Sequence, residues 1–140
     1  MKTALVIAAF LALLGLSTSS ATAGQATACS VTPNPVSLST DTQFTVTASG
    51  AVPGDYYEVT DQQQGHHKTD EDRVWLGRAD TNGAVTATVP VDDGRVVGAG
   101  DIYALWPGDV SVKVIHYQQG GSGGNKGASI LAACGFTVTG

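Results

Sequence analysis

The sequence predicts a single all-β domain, built as a two-sheet antiparallel sandwich of seven or eight short strands. Apolar and polar residues alternate with a period of two wherever a pattern is visible, as expected for strands with one buried face. Clusters of Gly, Pro, Asn and Asp separate these runs and are typical of turns. The 140 residues include 18 Gly and one Met, and no long helical apolar pattern is present. A chain of this length fits one domain.

Eight segments carry the strand pattern. In the clearest of them, Phe44, Val46 and Ala48 alternate with Thr and Ser, and residues 85–91 and 110–114 repeat the arrangement with Val and Ala. Such alternation predicts strands that are buried on one face. We predict strands over 29–32, 36–38, 42–49, 56–62, 73–79, 84–91, 109–117 and 132–139.

Two of the turns are specified by residue type. Asn82 and Gly83 both tolerate a positive φ and lie between strand-like runs, which predicts a β-hairpin. Asp92 and Asp93 precede Gly94, and a turn is a simpler account of these adjacent carboxylates than a hydrolytic pair.

The first 23 residues have the three-part layout of a secretory signal peptide. Lys2 supplies a positive start, residues 4–16 are apolar, and the segment ends in Ala21-Thr22-Ala23. A membrane-spanning helix needs about 20 apolar residues, so this run favours export over anchoring. We therefore expect a signal peptide at 1–23, a domain at 24–140, a secreted, extracellular location and no membrane span.

Cys29 and Cys134 are the two cysteines. An even number in an exported chain predicts one disulfide. Parity agrees, because Cys29 shares a strand face with Val31, and Cys134 shares one with Phe136. The bridge would join the first and last strands.

The charge balance argues against nucleic acid as a partner. Twelve Asp and Glu stand against seven Lys and Arg, which gives a net charge of −5. Affinity for nucleic acid comes largely from Lys and Arg that neutralise phosphates.

The order of motifs resembles a known family. The chain contains VTPNP, FTVTASG, VPGD, DTNGAVTATVPV, PGDVSVKV and a final FTVT, in that order. Over residues 29–139 this is similar to the bacterial extracellular immunoglobulin-like domains of secreted proteins, which resemble fibronectin III sandwiches. The resemblance implies an immunoglobulin-like sandwich that serves in binding, adhesion or spacing, not in chemistry.

Catalytic and metal-binding patterns are weak. The Gly-x-Ser-x-Gly pattern around Ser122 lies in a low-complexity, glycine-rich loop that could not preorganise a nucleophile, so we expect no enzyme, no catalytic residues and no cofactor. The densest group of potential metal ligands is His66 and His67 with Asp70 nearby, and His116 is a candidate partner. Because adjacent histidines on a strand point to opposite faces, a solvated polar loop is the default interpretation of this group.

The aromatic residues are the candidates for ligand or partner contact. Tyr56 and Tyr57 occupy opposite faces of one predicted strand, so one of them must leave the core. Trp106 precedes a proline at a corner, and Tyr117 ends a predicted strand. Exposed aromatic side chains supply large contact areas for sugars or proteins.

These observations favour a secreted, non-catalytic binding or adhesion module. It would recognise a protein or glycan at a cell surface through the loops 62–72 and 118–127, placed together at one end of the sandwich. One alternative is a structural subunit of an extracellular fibre or coat, formed by self-association of strand edges. Others are a hydrolase inhibitor and a small-ligand carrier, as in the antibiotic-binding proteins of the neocarzinostatin type. Those carriers typically have two disulfides, whereas this chain allows one.

Overall fold

Strands are the only regular secondary structure in the residues that the computed structural model describes, which are 27–63, 72–99, 102–117 and 128–140. The predicted signal peptide at 1–23 lies outside these residues. The ten strands are β1 (Cys29–Thr32), β2 (Val36–Ser37), β3 (Gln43–Ser49), β4 (Tyr56–Gln63), β5 (Asp72–Arg78), β6 (Ala84–Asp92), β7 (Arg95–Val97), β8 (Ile102–Ala104), β9 (Gly108–Tyr117) and β10 (Ser129–Thr139).

The strands form two five-stranded sheets. The first sheet has the order β1-β3-β6-β7-β8, and the second has the order β2-β10-β9-β4-β5. Neighbouring strands are antiparallel except β2 and β10, which run parallel. The predicted all-β architecture with two sheets is confirmed.

The strand count differs from the expected seven or eight. All eight predicted segments are strands, and β10 begins at Ser129 instead of residue 132. The two additional strands, β7 and β8, extend the first sheet. Each has three residues, which is too short to show an alternating pattern.

The turn at Asn82-Gly83 does not close a hairpin, and that expectation is wrong. It carries the chain from β5 in the second sheet to β6 in the first. The Asp80 side chain builds the turn, since its Oδ1 accepts hydrogen bonds from the backbone N–H of Asn82 and of Ala84, both at 2.8 Å.

A tight hairpin instead lies between β6 and β7. Asp93 has a φ of 46° and Gly94 a φ of 69°, the combination that a type I′ turn requires. The flanking residues Asp92 and Arg95 pair across the two strands. The prediction of a turn at Asp92-Asp93 is therefore confirmed.

The core lies between the sheets and is rich in valine. In β6, Val85 and Val89 are fully buried while Thr86 is exposed, as the alternation predicts. Phe44 of the first sheet packs on Phe136 of the second, with ring centroids 4.8 Å apart. This contact fixes which face of each sheet is turned inward.

A disulfide joins Cys29 of β1 to Cys134 of β10, as predicted, and links the two sheets. The two residues are 105 positions apart, and their Cα atoms are separated by 5.5 Å. Such a bond indicates a non-reducing compartment. In the described part of the chain, no helix has the length and apolarity needed to cross a bilayer.

Candidate ligand-binding face

Strand alternation divides the second sheet into an inner and an outer face. In β4, Tyr57 and Val59 point into the core, so Tyr56 and Glu58 point away from it. The pairing of β4 with β5 and β9, and of β9 with β10, extends the same division across the sheet. We call the side turned away from the core the outer face.

Apolar side chains gather at one end of the outer face, where β4 begins and β9 ends. Leu76, Tyr117 and Ile130 are 43%, 44% and 58% exposed. Tyr56 and Ile115, which are half-buried, lie between them. The strand register puts all five residues in two adjacent cross-strand rows. We call these five residues the apolar patch.

The opposite end of the outer face is polar and indented. Gly135 has no side chain there, and an open depression of about 180 Å³ lies beside Asp109 and Thr137. The Thr137 hydroxyl donates to Asp109 Oδ1 at 3.0 Å, and the Thr137 N–H donates to Asn34 Oδ1 at 3.1 Å. A Cβ at position 135 would lie 3.0 Å from the carbonyl oxygen of Val110, so glycine suits this close approach.

Three basic side chains border the apolar patch, two on β5 and one on β9. Arg73 forms an ion pair with Glu58 at 2.7 Å. Arg78 lies over the ring of Tyr56, 4.2 Å from its centroid, in a cation–π contact. Lys113 is half-buried in the middle of the sheet. The outer face thus combines apolar surface with positive charge.

His116 lies on the inner face, not with the patch. Its ring stacks on Tyr57 with centroids 4.8 Å apart, and its Nε2 lies 2.9 Å from Asp55 Oδ2. The Tyr57 hydroxyl in turn accepts a hydrogen bond from the Val52 N–H at 2.9 Å. These contacts give His116 a structural role at the end of β9.

The other weak metal candidates, His66, His67 and Asp70, lie outside the described residues. Within the described ranges, no group of three or more His, Cys, Asp or Glu side chains could hold a metal ion.

The four aromatic candidates do not form one platform. Tyr57 is 1% exposed and belongs to the core, whereas Tyr56 and Tyr117 are cross-strand neighbours on the outer face. Trp106 is 48% exposed but is bound to Gln63, at the far end of β4. Gln63 is seven positions along β4 from Tyr56, a distance of about 23 Å. Contact of the exposed aromatic residues with a ligand stays a prediction.

The two predicted recognition loops leave opposite ends of the second sheet. The segment 64–71 follows Gln63, and the segment 118–127 follows Tyr117; both lie outside the described residues. Because β4 and β9 are antiparallel, with Tyr56 opposite Tyr117, these departure points are a strand length apart. The expectation that the loops emerge together at one end is wrong.

The sequence analysis does not identify Leu76, Ile115 and Ile130 as candidate site residues. A signal was present, because Ile115 follows Val110, Val112 and Val114 at a position where the alternation calls for a polar residue. Leu76 breaks the pattern of β5 in the same way. Apolar residues on the polar phase of a strand indicate a binding surface.

Comparison with known proteins finds similarity among solved structures only. No family model matches the chain, and no curated protein matches it. Among solved structures, macromomycin is similar, with 21% identity, a TM-score of 0.46, and coverage of 81% of this chain and 100% of the macromomycin chain.

The expected membership in the immunoglobulin-like, fibronectin III-like domains is wrong: no family model matches the chain, and the solved structure reported above, macromomycin, is not such a domain. The motifs misled because alternating Val and Thr with Pro-Gly turns suit any two-sheet antiparallel fold.

Proposed function

We propose that this protein is a secreted, non-catalytic carrier that holds a small apolar ligand on the outer face of its second sheet. The observation that carries the proposal is the exposure of Leu76, Tyr117 and Ile130 at one end of that face, with Tyr56 and Ile115 between them. Outward positions of an antiparallel sheet are normally polar, and clustered apolar side chains there mark binding sites. The predicted signal peptide and the disulfide support secretion.

The size of the patch favours a small molecule over a protein. Four strands span about 14 Å across the sheet, and two rows of residues with their margins span a similar length along it. The resulting area is roughly 200 Å², whereas a stable protein interface buries about 800 Å² on each partner. A ligand of two or three fused or linked rings matches this footprint.

A fluorescence titration tests the proposal. The probe is N-phenyl-1-naphthylamine, a neutral two-part aromatic molecule that brightens in apolar surroundings. We expect saturable binding of one probe per chain. Leu76→Ser and Ile130→Ser should each weaken it about tenfold, because each removes contact area worth about 1.5 kcal/mol.

Two matched variants control for the general loss of surface apolarity. Val97 is 40% exposed and lies on β7 of the first sheet, and Val52 is 53% exposed and lies in the connection between β3 and β4, outside the strands. Val52→Ser and Val97→Ser should leave probe affinity unchanged. Equal losses in all four variants, or no saturable binding to the native protein, would contradict the proposal.

Three other functions are predicted from the sequence and remain to be tested by experiment. Recognition of a cell-surface protein or glycan through the segments 62–72 and 118–127 stays a prediction. So do hydrolase inhibition and self-association into a fibre or coat. Sedimentation at high protein concentration separates the fibre from the carrier, because the carrier should remain at the mass of one chain.

A further inference from the structure

The charges of the described residues are distributed very unevenly. These residues contain four basic side chains, and three of them, Arg73, Arg78 and Lys113, lie at outward positions of the second sheet. Of their nine acidic residues, Glu58 and Asp109 lie on that face. The whole chain, by contrast, has a net charge of −5. Within the described ranges, positive charge is thus concentrated on the face that also exposes apolar surface.

The three cations lie at different borders of the apolar patch. Arg78 covers Tyr56 and donates to the Gly54 carbonyl oxygen at 3.2 Å, which fixes its guanidinium beside the first row. Arg73 lies one row further along β5, against Glu58. Lys113 lies across the sheet from Arg73, directly opposite Thr60.

From this arrangement we infer the class of the ligand: an aromatic or otherwise apolar body that carries one anionic group. The inference rests on the proposed carrier function and adds charge selectivity to it. The body covers the row of Ile130, Ile115 and Leu76, in which Glu58 lies between Ile115 and Leu76, and the acidic group lies toward Lys113. Half-buried Lys113 is on the next row from Ile115, so a molecule of the size given above reaches both.

Two properties of the charged residues support an anionic ligand: their desolvation beside apolar surface and their uneven distribution. A cation beside apolar surface is partly desolvated, and its attraction for an anion is therefore stronger than at a fully solvated site. Charges placed only for solubility would be interspersed in sign over the surface. Here the described residues outside the outer face contain Arg95 as their one basic residue, among seven acidic ones.

Two probes with the same aromatic body test the inference. N-phenyl-1-naphthylamine is neutral, and 8-anilino-1-naphthalenesulfonate has the same anilinonaphthalene body with a sulfonate added. We expect the native protein with its disulfide intact to bind the sulfonate at least tenfold more tightly at 20 mM NaCl. This preference should shrink severalfold at 500 mM NaCl, because salt screens the attraction.

The variant Lys113→Gln should lower affinity for the sulfonate about fivefold or more and leave affinity for the neutral probe within twofold. Arg95→Gln removes a positive charge from β7 in the first sheet and serves as the matched control. It should change neither affinity. Circular dichroism and urea unfolding confirm that both variants are folded.

The possible outcomes separate the two proposals. Binding of the neutral probe with no preference for the sulfonate overturns the ligand class and leaves the carrier function standing. Binding of neither probe overturns both. If Lys113→Gln weakens both probes equally, or Arg95→Gln weakens the sulfonate as much as Lys113→Gln does, the assigned position of the acidic group is wrong.

Discussion

Gln63 and Trp106 hold each other through two hydrogen bonds between a side-chain amide and a peptide backbone. The Gln63 Nε2 donates to the Trp106 carbonyl oxygen at 2.6 Å, and the Trp106 N–H donates to Gln63 Oε1 at 3.0 Å. The preceding residue, Leu105, donates its N–H to the Gly94 carbonyl oxygen at 2.9 Å. The segment that leads from β8 into β9 is thus bound to both sheets, and Gln63 supplies the link to the second.

Loss of this amide should destabilise the fold. Gln63 is 2% exposed, so Gln63→Ala leaves two backbone groups of Trp106 without their partner and opens a cavity. We expect the free energy of unfolding to fall by about 2–4 kcal/mol. Gln62→Ala is the matched control, since that side chain is on the outer face, and it should cost under about 1 kcal/mol. Urea unfolding followed by circular dichroism measures both, and similar values would show that the amide pairing contributes little.

The disulfide should contribute a large part of the stability. It closes a loop of 105 residues, and in the chain-entropy model a loop of about 100 residues is stabilised by about 4.7 kcal/mol. The double variant Cys29→Ser, Cys134→Ser should therefore unfold at much lower urea concentration than the native protein. Reduction of the native protein with dithiothreitol should give the same midpoint. A shift of under about 1 kcal/mol would mean that the sheets hold together without the bridge.

Two glycines with similar backbone angles should respond differently to alanine. Gly83 has a φ of +73°, and a Cβ there would lie 2.5 Å from the Ala51 carbonyl oxygen; Gly54 has a φ of +81° and no atom within 4 Å of such a Cβ. Gly54→Ala should cost about 1 kcal/mol from the positive φ alone. Gly83→Ala adds a backbone clash and should cost at least about 1 kcal/mol more. Thermal and urea unfolding compare the two, and equal costs would mean that the turn yields easily.

Adjacent tyrosines provide a similar comparison. Tyr57 is buried and its hydroxyl accepts a hydrogen bond from the Val52 N–H, whereas Tyr56 is half-buried on the outer face. Tyr57→Phe should lower the free energy of unfolding by about 1 kcal/mol, because the Val52 N–H loses its acceptor. Tyr56→Phe should change it by less than about 0.5 kcal/mol. A larger cost for Tyr56→Phe in urea unfolding would reverse this assignment of roles.

The alternation of apolar and polar residues predicts the individual strands of the fold. It does not predict which strands lie side by side, because that depends on pairing between distant segments. The alternation around Phe44 and the parity of Cys29 and Cys134 depend on neighbouring residues, so the strands and the disulfide followed from the sequence. Which strands adjoin depends on non-local contacts. For this reason the sequence predicts a hairpin at Asn82-Gly83, although this turn joins two sheets.

Dependence on non-local strand pairing also explains why the sequence does not predict the positive charge at the candidate site. Arg73, Arg78 and Lys113 are unremarkable in the sequence, and only the pairing of β4 with both β5 and β9 brings them to one face. The sequence predicts Tyr56 and Tyr117 as contact residues, and the register of β4 and β9 makes them neighbours. It predicts Trp106 as well because this residue is aromatic, but the hydrogen bonds of Trp106 place it at the other end of the sheet.

The ion pair between Glu58 and Arg73 offers a way to raise affinity instead of lowering it. Their charged atoms are 2.7 Å apart, and the Arg73 side chain is 46% exposed. Glu58→Gln removes the negative charge beside the apolar patch and leaves the positive one. Stability should change by less than about 1 kcal/mol, because partly exposed ion pairs contribute little.

If the ligand is anionic, Glu58→Gln should increase affinity for 8-anilino-1-naphthalenesulfonate about threefold to tenfold, the effect of one charge at moderate distance in a partly screened environment. Affinity for N-phenyl-1-naphthylamine should stay within twofold. Asp92→Asn, at the end of β6 in the first sheet, changes the net charge equally at a distant place and should alter neither affinity. An equal gain from Asp92→Asn would attribute the effect to net charge, and a loss of sulfonate affinity in Glu58→Gln would contradict an anionic ligand at this face.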